Sequence, residues 1–421
     1  MKQYEAFVVC LVCMHTKKIV YLVFSLTGRI ACVGTILSAG EALYSLRKRH
    51  VSRYMRILTR DVRPMQNRSI NNWEYMEKLW EHTFVNELRT DPKDHPVLIT
   101  EPHDKTHPST ARERTATVMF ETHGVPVLRT FLPAVLALFG SGRTTGAVLD
   151  SGLESSSAVA IDEGTIDPKT VQFSEIGGKH LTDYLIKLWT EKSKMFTSKS
   201  ERVVVEDMKR KFGRVVLDIN RESNRHVRVF DHRRVEILRC LADYRPPSGV
   251  PFLQHCSYLR RRIFSFHETH TRAEEPDGQA YTLPDGRVLT LGDLDYRCPE
   301  AMFDPIWLNV ELEPAGMHEL VYNSIYRNHK DILPTLYGNV LLCGGNTRFP
   351  GMQERMMAEL ATMAPPHTKV QVRRSQRFSA WIGGSILTSL QDFPDSDCIT
   401  KEEFQESGPG VVHRKRLYVR R

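Results

Sequence analysis

The sequence predicts an α/β fold, built as two or three domains or one large two-lobed unit and interrupted by a basic insertion. Three observations carry this reading. At 421 residues, 41% hydrophobic and 26% charged, the chain has enough apolar material for a core of several layers. Short apolar runs bounded by glycine alternate with amphipathic helical stretches along most of its length. One segment, about Arg221 to Gly278, breaks this rhythm with Arg260-Arg261-Arg262, five histidines and the breaker Pro246-Pro247-Ser248-Gly249, and reads as a partly helical surface insertion.

The elements follow in order. Residues 1–45 read as strands at Ala6–Met14, Ile19–Phe24 and Ile30–Leu37, with Gly28 and Gly40 as turns. Leu46–Arg63 is arginine-rich and solvated. From Trp73, the residues Met76, Leu79, Trp80 and Phe84 recur at the spacing of one buried helix face. His95–Thr100 reads as a buried strand, followed by a helix over about Thr110–Thr122. Val125–Leu138 is apolar with Pro133 in its middle, and Gly140, Gly142 and Gly146 precede a strand at Ala147–Asp150. Residues 178–196 form an amphipathic helix through Leu181, Leu185, Leu188 and Trp189, with a second helix over about Ser200–Asp218. Tyr281–Val288 is a strand–turn–strand signal.

A net charge of +8 points to an acidic partner: nucleic acid, an anionic membrane or an acidic protein face. Basic runs are ordinarily solvated surface, so direct nucleic-acid binding is not expected. The eight dispersed cysteines suit free thiols in a reducing compartment better than a disulfide framework. The pair Cys10 and Cys13 lies inside an apolar run, where a buried strand is the simpler reading than a metal or redox site. The histidines of the insertion lack regular ligand spacing. No signal-peptide cleavage site follows the N-terminal run and no stretch has transmembrane length, so an intracellular protein is expected.

Three glycine-containing stretches could carry chemistry. Thr144–Ala160 reads as two strands joined by a turn at Ser151–Ser156; Gly152 there would let backbone N–H groups approach a phosphate, and Asp150 could hold water around magnesium. A plain hairpin explains the same residues. Val340–Gly351, with Gly344-Gly345 before the helix Met352–Met363, is either a nucleotide-facing loop or a tight strand-to-helix connection. Phe378–Leu390, with Gly383-Gly384, reads as a core helix that permits close backbone packing.

The joint order of several motifs resembles actin and actin-related proteins. They include Asn72-Trp73, Met76-Glu77-Lys78, His95-Pro96-Val97-Leu98, Met119-Phe120-Glu121-Thr122, Ser141-Gly142-Arg143-Thr144-Thr145-Gly146, Leu181-Thr182-Asp183-Tyr184, Arg297-Cys298-Pro299-Glu300-Ala301, Trp381–Leu387 and Glu406–Lys415. The resemblance runs from about Asn72 to Lys415, broken by 221–278. It implies a two-lobed clamp of duplicated, ribonuclease-H-like α/β domains closing over ATP or ADP and magnesium. The expected divisions are a first lobe at 1–145 with a divergent start to about 70, a second lobe at 146–340 containing the insertion, and 341–421, which returns to the first lobe with a basic tail.

The resemblance also marks departures. Of the two hairpins that clasp phosphates in actins, the first falls at about Val8–Lys18, where Cys10, Leu11, Val12, Cys13 and Met14 replace aspartate and glycines. The second keeps Asp150, Ser151 and Gly152, but Leu153 replaces an acidic residue and Glu154 a glycine. The positions of the family's water-positioning glutamine and nearby histidine hold Pro133 and Ser157. Lys209, Gly344, Gly345 and Phe349 match the adenosine side, and Asn346 after the glycine pair is a further expected nucleotide contact, whereas Arg210 replaces the acidic residue that receives the ribose and Arg377 replaces a lysine beside the base. The partner cleft between the small subdomains keeps Phe139, Gly142, Thr144, Ile386, Leu387 and Leu390, with Ser396 in place of an apolar residue.

The expected function is therefore a cytoskeletal or structural actin-like protein with ATP hydrolysis lost and nucleotide binding weak or lost. Its expected partners are other actin or actin-related subunits and actin-binding proteins. The alternatives are a divergent, polymerising ATPase and a nuclear subunit of a chromatin-remodelling complex.

Overall fold

The computed structural model describes residues 7–9, 18–19, 37–38, 64–66, 69–101, 109–193, 199–219, 280–283, 288–308, 315–390, 393 and 397–415. Residues 10–17 of the expected first hairpin, the stretch 46–63, the insertion at 221–278, Ser396 and the tail at 416–421 lie outside them.

Two sheets organise the chain. In the smaller, Phe7–Val9, Val97–Thr100 and Val127–Phe131 run parallel, and Ile399–Thr400 closes the row antiparallel. The larger has the order Thr165–Ile166, Ser156–Asp162, Gly146–Ser151, Val340–Cys343, Val372–Arg374, with Gln172–Ser174 also paired to Ser156–Asp162. Gly146–Ser151, Val340–Cys343 and Val372–Arg374 are parallel. Every residue of Val97–Thr100 and of Val340–Cys343 is buried, as expected of parallel strands covered on both faces. The chain after residue 340 thus contributes strands to both sheets.

Helices cover these sheets where the apolar spacing places them. Trp73–His82 buries Met76 and Trp80 and is capped by Asn72, whose side chain accepts from the Tyr75 N–H. Gly178–Ser193 turns Leu181, Leu185, Leu188 and Trp189 into the core of the larger sheet. The apolar run around Pro133 divides at that proline: the strand Val127–Phe131 ends before it, and the helix Pro133–Phe139 begins on it, where its missing N–H costs nothing. The helix expected over 110–122 is α-helical at Ser109–Thr117 and widens to a π-turn at Val118–Thr122. The helix expected to reach Asp218 stops at Phe212. Beyond it the Arg214 N–H donates to the Asp295 carbonyl and the Val215 N–H to the Pro350 carbonyl, so tertiary bonds replace helical ones. Cys298 and Cys343 are free, buried thiols, and Cys398 is buried as well.

The two sheets share one core. Leu98 and Phe131 from the smaller sheet and Val148 and Leu341 from the larger belong to the same buried cluster, completed by Pro133–Phe139 and Ser379–Thr388. Those two helices meet backbone against backbone. A Cβ on Gly383 would lie 1.7 Å from the Leu136 carbonyl oxygen, and one on Gly140 would lie 2.2 Å from that of Ser379. Neither position has room for a side chain.

Gly383→Ala therefore forces the helices apart and is expected to destabilise the protein by about 3 kcal/mol, the upper range for overpacking. Gly410→Ala, where a Cβ meets nothing within 4 Å, serves as the neutral control. Denaturant unfolding of the two variants checks the difference.

Candidate functional site

The hairpin Gly146–Ser151 and Ser156–Asp162 sets Asp150 opposite Ser157 and Ser151 opposite Ser156. Its turn is closed by the Gly152 N–H donating to the Ser155 carbonyl at 2.8 Å. On the other side of Gly146–Ser151 runs Val340–Cys343, parallel, with Cys343 in register with Asp150. The chain then turns sharply at Gly344, whose φ is +88°. A Cβ there would lie 2.2 Å from the Ser151 carbonyl oxygen and 2.7 Å from Asp150 Oδ1, so the hairpin's own atoms require this glycine.

Side chains lock the turn in place. Asn346 Nδ2 donates to the Gly152 carbonyl at 2.7 Å and to Ser151 Oγ at 3.0 Å. The Ser151 and Ser156 hydroxyls are 2.9 Å apart, and Ser156 donates to the Ile176 carbonyl at 2.7 Å. The N–H groups of Gly178 and Lys179, at the start of the helix Gly178–Ser193, donate to the carbonyls of Gly152 and Leu153 at 2.9 and 2.7 Å. These amides are orphans at a helix start, and here the turn supplies their acceptors. Lys209 is 5% exposed and donates to the Gly178 carbonyl at 2.6 Å and to Thr182 Oγ1 at 2.8 Å. Burial lowers its pKa from the ordinary lysine value.

Phe349 is buried beside Gly213, where a Cβ would lie 2.5 Å from the ring. Arg374 donates to the Phe349 carbonyl at 3.3 Å. Arg348 and Arg377 are exposed, and Arg210 pairs with Glu206 at 3.3 Å.

The structure thus brings Asp150, Ser151, Gly152, Gly344 and Asn346 into direct contact, and Lys209 joins them through Gly178. Phe349 and Gly345 flank the group, and Arg377 lies on the exposed edge, its guanidinium over the Phe378 ring. The sequence reading missed Gly178, Lys179 and Thr182, which tie the hairpin to a helix start. The glycine pair directly before an amphipathic run, with no capping side chain, was the available signal. Of the expected partner cleft, Ile386 and Leu390 are exposed and line an apolar groove with Trp381, Ile382, Ser385 and Ser389. Leu387 is buried in the shared core and Phe139 packs against it; Gly142 and Thr144 are exposed at a turn.

The chain fits the sequence model of a protein family, described as Actin, over residues 32–417. It belongs to the actin family. Actins in general bind ATP or ADP with magnesium, and the α/β architecture of this chain is the actin-like one.

Beside the hairpin, His180 Nδ1 accepts the Gly177 N–H at 3.2 Å, which requires that nitrogen unprotonated. Burial, then Lys179, lowers the His180 pKa, against the opposing pull of Asp183, Glu175 and Glu154. Because the folded value lies below the unfolded one, the stabilisation is full above the unfolded value of ~6.5 and is lost as the pH falls through the depressed folded value. Hydrogen exchange of the Gly177 amide, corrected for intrinsic rates, should accelerate as the pH is lowered below ~6.5. His180→Gln, which keeps an acceptor without a titratable nitrogen, should flatten that dependence.

Proposed function

We propose that this actin-family protein is a non-hydrolysing structural subunit of a filament or multiprotein complex, cytoplasmic and cytoskeletal. The observation that carries the reading is the register Asp150–Ser157, together with Pro133 at the first position of its helix. Cleavage of a terminal phosphate needs a water that is held in line and relieved of a proton, a task worth roughly 10²- to 10⁴-fold in rate. A serine hydroxyl is a poor base, and proline has neither donor nor acceptor in its side chain.

The fit to a magnesium nucleotide is divided. Asp150 is a suitable carboxylate, and the Gly344 turn and Asn346 set the hairpin as a phosphate-facing turn would need. Among the described residues no three His, Cys, Asp or Glu side chains gather as a metal site, so Asp150 would act through magnesium-bound water. Against this, Glu154 puts a carboxylate in the turn itself, where it repels a triphosphate. We read the site as one that binds Mg-ATP weakly and leaves it intact. Among the described residues no helix is long and apolar enough to cross a membrane. The partners are other actin or actin-related subunits and actin-binding proteins, met partly through the groove at Ile386 and Leu390.

Phosphate release from Mg-ATP by the purified protein should equal that of the Asp150→Ala variant and of buffer. Sedimentation under polymerising salt should be the same with and without ATP. Steady release abolished by Asp150→Ala, or pelleting that depends on ATP, would overturn the proposal in favour of a working, polymerising ATPase.

A further inference from the structure

The exposed edge beside the glycine loop is cationic, and the topology concentrates the charge. Val340–Cys343 and Val372–Arg374 are parallel neighbours with Leu342 in register with Arg374, and the Ser375 N–H donates to the Leu342 carbonyl at 2.9 Å. The two strands therefore end side by side, and the segments leaving them, Gly344–Arg348 and Ser375–Arg377, emerge at the same place. Three exposed arginines result: Arg348, Arg374 and Arg377. Arg374 reaches the Phe349 carbonyl, one residue from Arg348, and Arg377 lies over the Phe378 ring.

Among the described residues none of the three is paired with a carboxylate. Arg348 instead feels its like-charged neighbours. After burial, Arg377 and then Arg374 lower its pKa from the ordinary arginine value. Asp150, the carboxylate at the adjoining strand end, lies against Gly344. Elsewhere in the chain Arg355 is matched by Glu300 and Glu359, and Arg214 by Asp295.

We infer that the Arg348–Arg374–Arg377 cluster is a binding site for a multivalent phosphate anion, separate from any grip exerted by the Asp150 hairpin. Guanidinium forks match phosphate oxygens two at a time, and their weak hydration makes them the favoured side chain for this task. The site's position adds to the case, because the carboxyl ends of parallel strands, next to a glycine loop, are where α/β sheets take ligands. Two sources share this chemistry: free inorganic polyphosphate and the phosphate tail of a nucleotide. Magnesium neutralises either and should weaken binding, the reverse of its effect on an Asp150-centred site.

The test is calorimetric titration of the full chain with tripolyphosphate in the absence of magnesium, repeated with ATP, AMP and adenosine. Binding should fall several-fold as salt rises from ~50 to ~200 mM. The double variant Arg348→Glu/Arg377→Glu should bind at least tenfold more weakly, while Lys330→Glu, exposed on the turn before the helix Leu333–Gly338, should bind as the parent does. Equal affinity for tripolyphosphate and ATP would identify free polyphosphate as the ligand, and an ATP affinity tenfold higher would identify the nucleotide; both support the site. Because the three side chains are exposed, the variants should melt with the parent, and Arg348→Gln/Arg377→Gln gives the milder second case. The inference is overturned if tripolyphosphate does not bind, or if charge reversal leaves its affinity unchanged. Neither result bears on phosphate release, which tests the hydrolytic reading separately.

Discussion

The crossing of Pro133–Phe139 and Ser379–Thr388 is the constraint on which the rest of the molecule depends. Gly383 rests against the Leu136 carbonyl and Gly140 against that of Ser379, with no space for a methyl group at either. That contact draws the smaller and larger sheets into a single buried cluster. Overpacking cannot be relieved by rotating a side chain here, because the clashing atoms are backbone on both sides. The same helix carries Pro133 at its start, so the crossing also fixes that residue's place in the fold.

The hairpin is held by the same economy of close backbone contact. Gly344 admits the Ser151 carbonyl, Asn346 donates to Gly152, and two amides of a helix start are taken up by the turn. Lys209 is spent on Gly178 and Thr182. These bonds are internal to the chain, so the turn keeps its shape through protein contacts alone. On the proposed reading, this is how such a turn persists as structure when the groups that activate water are replaced. The Gly152 carbonyl accepts from both Asn346 and the Gly178 N–H, so losing one of these donors loosens the turn without leaving that oxygen bare.

Much of this was legible in the sequence, for reasons that differ by residue. The helix at Trp73 and the strands at Val97 and Val340 announce themselves because burial on a fixed face imposes a period or an unbroken apolar run. Asp150, Gly152, Gly344 and Asn346 could be singled out because turns and glycine loops leave local signatures. The division at Pro133 follows from proline's missing N–H, although the apolar run around it masks the change from strand to helix. What could not be read locally depends on register between distant segments. Nothing near Arg348 in the sequence says that Arg374 and Arg377 lie beside it; the parallel pairing of Leu342 with Arg374 decides that. The early end of the helix at Phe212 is likewise set by bonds to Asp295 and Pro350.

The central claim is that an actin scaffold here retains the frame for a phosphate and lacks the means to aim a water at it. A crystal structure of the protein grown with magnesium and a non-hydrolysable ATP analogue addresses this directly. The account predicts that, if the analogue is seated at Asp150, no ordered water is held in line with its terminal phosphorus by Pro133, Ser157 or their neighbours. A water fixed there by protein donors, within about 3.5 Å of the phosphorus and opposite the leaving oxygen, would contradict it.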